Sequence, residues 1–151
     1  MPRDLPLSNG KLMVCFDLEY RIRDIYYPHV GKENHATGHP FRFGVWVDGK
    51  FSWMGTDWHP HLCYARDSMV THVKARNDAL GVELVCNDAV DFYENVFVRN
   101  VQVTNLADSA REIRLFYHHD FHIRGTEVGD TALYSPETQA DRKSTRLNSS
   151  H

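Results

Sequence analysis

The sequence predicts an all-β protein, an antiparallel β-sandwich. Three observations carry that reading. Apolar and polar residues alternate with a period of two in several short runs. Gly, Pro, Asn and Asp punctuate those runs at turn-like intervals. No segment keeps a helical period long enough to read as a long helix.

The first strand is predicted over 11–18 (KLMVCFDL), after the Asn9-Gly10 turn signal, with Leu12, Val14 and Phe16 on one face. The second covers 22–27 and stops at Pro28, which has no N–H to donate to a ladder. Residues 29–41, with His29, His35 and His39, read as a loop. RFGVWV and KFSW then flank Asp48-Gly49, a hairpin signal because both turn positions need positive φ. Residues 55–61 read as another loop. Strands follow at 69–76, at 81–87, and at 90–105, the last long enough to require a bend or bulge. The segment 111–123 fits both helical and strand spacing, and its aromatic content favours a strand.

Composition bounds the function. The chain of 151 residues is 42% apolar and 25% charged, as expected of a globular domain rather than a disordered or collagen-like chain. No apolar run is long enough for a transmembrane helix, and the start lacks the apolar centre of a secretory signal. Cys15, Cys63 and Cys86 form an odd set without CxxC spacing, pointing to neither a disulfide framework nor a zinc site. Together these favour the cytoplasm and no membrane partner. With 17 basic against 20 acidic residues, nucleic-acid binding gains no electrostatic support.

Histidines gather in two stretches, 29–61 and 118–122. In HHDFH, His118, Asp120 and His122 would share one face of a strand, a ligand set suited to zinc or non-haem iron. The outer two would then lie roughly 13 Å apart at about 3.3 Å per residue, too far for one ion, so a polar strand face is the expected reading. His29, His35, His39, His59 and His61 lack a metal-site spacing and read as loop residues. Trp46, Trp53, Trp58, Tyr26 and Tyr27 could form a sugar-stacking platform, although core packing is the commoner use of such rings. GxSxG, P-loop and GxGxxG motifs are missing, and no acid–base pair of the glycosidase kind stands out.

The last eleven residues, 141–151, break with the rest. They hold one apolar residue, three basic residues and three serines. The string looks like one reading frame of a standard sequencing-adapter oligonucleotide. On that reading 141–151 is a disordered artefact and 1–140 is a partial domain. Residues 1–140 carry 14 basic and 19 acidic groups, for a net charge of −5.

Three blocks, LSNGKLMVCFD (7–17), IRDIYYPHVGKENHATGHPFRFGVWVDGKFSWM (22–54) and LFYHHDFHIRGTEVGDTALYSPET (115–138), resemble the N-terminal domain of bacterial glucoamylase-like proteins of glycoside hydrolase family 15. The resemblance implies an incomplete sandwich, part of a larger super-sandwich, ahead of an (α/α)6 catalytic barrel absent here. It implies a parent enzyme similar to a glucan 1,4-alpha-glucosidase, hydrolysing terminal α-linked glucose from oligo- or polysaccharides with inversion. This stretch would itself be non-catalytic. No catalytic, cofactor-binding or metal residue is carried over and no cofactor is expected. The implied partners are the missing barrel and an α-glucan or oligosaccharide substrate. The alternatives are a stand-alone carbohydrate-binding module using Trp46, Trp53 or Trp58, and a metal-dependent enzyme using His118, Asp120 and His122.

Overall fold

The computed structural model describes residues 4–55, 57–123 and 130–145. In chain order its strands are Asp4–Ser8 (β1), Met13–Phe16 (β2), Ile22–Tyr26 (β3), Arg42–Val47 (β4), Lys50–Trp53 (β5) and His59–Tyr64 (β6). They continue as Thr71–Asn77 (β7), Val82–Val90 (β8), Phe97–Asn105 (β9), Ile113–His118 (β10), Asp130–Ser135 (β11) and Ala140–Thr145 (β12). Every pairing among them is antiparallel, and no α-helix occurs among the described residues. The all-β sandwich-like architecture is therefore the one the alternation predicts.

β6-β7-β8-β9 form a four-stranded meander, and β1-β2-β3 and β10-β4-β5 form two three-stranded sheets. An isolated bridge, Ile22 to Phe41, stitches the two smaller sheets together through backbone bonds of 2.9 and 2.8 Å. The period of two is strict in β7, where Thr71, Val73, Ala75 and Asn77 are buried and the residues between them are exposed. Val73 and Ala75, with Val82, Leu84 and Cys86 of β8, meet Val14 and Phe16 of β2 and Phe43, Val45 and Val47 of β4 in one core. Burying each such side chain contributes about 1.5–3 kcal/mol, which is what holds the layers together.

The Asp48-Gly49 hairpin is as expected, with φ of 46° and 87° at the two turn residues. Three expectations fail. Residues 59–61 lie in β6 rather than a loop, because β7 offers them a complete ladder. The run 90–105 is not one bent strand. β8 ends at Val90, and Asp91 turns the chain by accepting the Tyr93 and Glu94 N–H groups at 2.8 and 2.7 Å. The tail is not without structure over 141–145, where β12 pairs with β11 from Ser135↔Ala140 to Asp130↔Thr145. A two-stranded ribbon takes its bonds from the backbone and so tolerates polar side chains. Residues 146–151 lie outside the described residues. No disulfide joins Cys15, Cys63 or Cys86.

One polar cluster crosses the core. Asp88 of β8 is completely buried, and its carboxylate accepts hydrogen bonds from the Tyr20 hydroxyl, from Thr71 Oγ1 at 3.0 Å and from Arg99 Nε at 2.7 Å. Burial, reinforced by the Asp88 charge and only partly offset by Arg99, raises the Tyr20 pKa far above its ordinary value, so this hydroxyl stays a donor. Asp88→Ala leaves a buried guanidinium without its counter-charge. The expected loss is about 3–5 kcal/mol of unfolding free energy, read by urea titration. A loss under 1 kcal/mol, as for an exposed pair, would contradict this account.

Candidate functional site

The second histidine stretch does not run on as a strand. β10 stops at His118, and residues 119–122 continue as a loop in which alternate side chains go to two different places. Asp120 and His122 meet His39 from the 29–41 loop. His39 Nδ1 lies 3.2 Å from Asp120 Oδ2, and His122 Nε2 lies 3.2 Å from Asp120 Oδ1. The two imidazoles stack with centroids 4.0 Å apart. One backbone bond clamps the loops, the His122 N–H donating to the His35 carbonyl at 2.8 Å.

His119 and Phe121 go the other way, into the rim of an open, largely apolar cavity of about 540 Å³. Phe121 packs edge-on against Phe41 at 4.4 Å, and the Arg99 guanidinium lies in the cavity wall. Partial burial, and then the positive charge of Arg99 and of neighbouring His118, hold the His119 pKa below 6.5, with Asp141 opposing. Apolar side chains dominate the cavity lining, with Asn95, Arg99, Tyr117 and His119 supplying the polar groups.

The predicted site residues therefore divide. Asp120 and His122 come together, but His118 is not with them. It closes β10 with its ring 6.3 Å from Trp53. The 13 Å span fails because it assumed an extended chain through residue 122. His39 is the residue that linear spacing could not supply, since it stands some eighty positions upstream. His29 is exposed, His35 Nε2 contacts the Tyr27 carbonyl at 2.7 Å, and His59 and His61 lie on the exposed side of β6 opposite Arg76 and Lys74.

The aromatic set divides as well. Trp58 is core, donating its indole N–H to Ser52 Oγ at 3.2 Å, and Tyr26 is buried. Trp46 and Trp53 lie on the outer face of the β10-β4-β5 sheet, joined by Phe51 and Phe116, which composition alone did not single out. Gly44 makes this face possible, because a Cβ there would lie 2.8 Å from Phe51 Cε2 and 2.9 Å from Trp53 Cε3. Arg42 and Arg114 lie 4.8 Å over the rings of Trp53 and Trp46.

The His119 shift has a sign that can be tested. Between its lowered folded value and 6.5 the unfolded chain binds more protons at this site. Its contribution to stability is thus complete above 6.5 and declines as pH falls through that window. His119→Gln is expected to flatten the fall in melting temperature between about pH 7.5 and 5.5. An unchanged slope would assign the pH dependence elsewhere.

Neither a protein-family profile nor any curated protein sequence matches this chain. Among solved structures it is similar to a bacterial glucoamylase complexed with acarbose, with a TM-score of 0.67 and 14% identity. The similarity covers 83% of this chain and 18% of that one, so the chain spans less than a fifth of that protein's length. At this identity the likeness is one of fold: these strands have the architecture of one part of a bacterial glucoamylase.

Proposed function

We propose that this chain is the amino-terminal, non-catalytic β-sandwich portion of a glycoside hydrolase of the glucoamylase kind. The observation that carries the proposal is the fold shared with part of a bacterial glucoamylase. The three sequence blocks at 7–17, 22–54 and 115–138 agree with it. On this reading the parent enzyme, a cytoplasmic family 15 protein, removes α-linked glucose from chain ends with inversion. A carboxylic acid would protonate the leaving oxygen while a carboxylate activates water on the opposite face, the pair standing roughly 6.5–9.5 Å apart to admit that water. Both groups would belong to the barrel beyond residue 140, and residues 141–151 would be adapter-encoded. The open apolar cavity and the outer aromatic face are then surfaces for the rest of the sandwich and for the barrel.

Reading the genomic DNA past codon 140 tests this directly. The expected result is an open frame that continues through further strands into a run of helices. A stop codon within a few codons of 140 would overturn it.

The outer face of β10-β4-β5 supports a second reading, a stand-alone carbohydrate-binding module, because Trp46, Phe51, Trp53 and Phe116 share one surface. Ring contacts on that face are edge-on, Phe51 meeting Trp53 at 4.8 Å and Phe116 at 5.8 Å, which breaks up the flat platform a pyranose stacks on. Titration with maltooligosaccharides, followed by tryptophan fluorescence, separates the two readings. No saturable change at millimolar sugar is expected. A saturable change lost in Trp53→Ala would favour the module.

A further inference from the structure

We propose that His39, Asp120 and His122 form a binding site for one divalent transition-metal ion that ties the 29–41 loop to the loop following β10. One ligand atom from each residue lies within 4.8 Å of the other two. A tetrahedral ion with bonds near 2.0 Å needs ligand atoms about 3.3 Å apart. Each imidazole nitrogen already lies 3.2 Å from an Asp120 oxygen, His39 Nδ1 from Oδ2 and His122 Nε2 from Oδ1. The remaining adjustment is a turn of the Asp120 carboxylate that brings one oxygen toward both nitrogens, with one imidazole rotating out of the stack, whose planes are now 22° apart.

A hydrogen-bonded His–Asp–His cluster is the competing account, and His122 weighs against it. Its Nε2 is buried and makes no hydrogen bond, although Asp120 Oδ1 is 3.2 Å away. A buried imidazole nitrogen left without a hydrogen bond carries a desolvation cost that a coordination bond removes. The ligands are also held before any ion arrives. The His122 N–H is bound to the His35 carbonyl, the His39 N–H donates to the Ala36 carbonyl at 2.8 Å, and Asn34 Oδ1 accepts from the Ala36 N–H at 3.0 Å. Two imidazoles and one carboxylate suit zinc, cobalt(II) or iron(II) over calcium or magnesium, which prefer oxygen donors. His39 and Asp120 are half-exposed, so water can complete the shell. Bound only to the folded chain, the ion would act as a staple between the loops.

Cobalt(II) is the probe, added to the untagged full chain after dialysis against chelator. One equivalent should be retained, with the visible absorption of four- or five-coordinate cobalt reversed by chelator. Zinc should raise the melting temperature. Asp120→Asn and His39→Ala should each weaken binding by at least about tenfold. A His59→Ala/His61→Ala variant, altered on the exposed side of β6, should bind unchanged and so controls for adventitious histidine sites. Substoichiometric cobalt, a spectrum of hexaaquo type in the wild-type chain, or binding lost only in the β6 variant would each overturn the proposal. The wild-type spectrum decides the matter even where a ligand variant does not fold.

Discussion

The structure depends on one buried ion pair. Asp88 and Arg99 face each other across the β8–β9 ladder, with the carboxylate completely buried and the guanidinium side chain only 11% exposed. Two charges taken from water gain little over a well-packed apolar pair, but each is costly to leave alone. The rest of the neighbourhood is built to keep them together. Thr71 on β7 both donates to the carboxylate and accepts the Asp88 N–H at 2.8 Å, which ties a third strand to the pair. The guanidinium lies among the rings of Phe16, Tyr20, Phe43 and Phe97, at 4.8 to 5.5 Å from their centroids. Cation–π attraction of about 0.5–2 kcal/mol per contact is strongest where water is excluded, as it is here. Phe16 and Phe43 belong to the opposite sheets, so the meander's charge is satisfied by the facing layer.

Tyr20 shows what this constraint asks of the chain. It sits between β2 and β3 at a φ of 61°, a left-handed conformation uncommon for a bulky residue. Asp17 holds it there. The Asp17 carboxylate accepts the Glu19 and Arg21 N–H groups at 3.0 and 2.9 Å and the Arg21 guanidinium at 2.7 Å. The turn thus offsets the strain that delivers the Tyr20 hydroxyl to Asp88. The thiol of Cys86 is drawn into the same environment, its pKa pushed up to about 11, chiefly by burial. It behaves as a small apolar residue, which agrees with the absence of any cysteine spacing pattern.

Much of the fold was legible because the side chains that define it are local. The alternation of Thr71, Val73, Ala75 and Asn77 places β7 without a partner in view, and Asp48-Gly49 places the β4–β5 turn. What escaped was set from elsewhere in the chain. β6 has a polar, proline-bearing sequence and is a strand only because β7 pairs with it. Val90, Phe92, Tyr93 and Val96 look like strand residues. The turn between them is closed by Asp91 and by Asn9, whose side-chain amide donates to the Asp91 and Glu94 carbonyls at 2.9 and 3.0 Å from more than eighty positions away. Asp88 and Arg99 raise no flag as single letters, since charged residues at a quarter of the composition are ordinary.

The candidate site follows the same division between local pattern and distant partner. Alternation in HHDFH puts His118, Asp120 and His122 on one face, and only Asp120 and His122 stay together because the strand ends at His118. Past His118 the backbone leaves the ladder, so His119 and Phe121 turn to the cavity while Asp120 and His122 turn to the 29–41 loop. A straight strand would have spread its ligands along one line, whereas a loop anchored by the His122 N–H to the His35 carbonyl can fold them against a residue from another segment. That is why the objection to a metal at 118–122 was sound for the geometry it assumed and does not apply to the geometry present. The buried core lies behind Phe41 and Phe121. The chemically varied residues stand on the two loops it holds together, where substitutions can change the chemistry without disturbing the core.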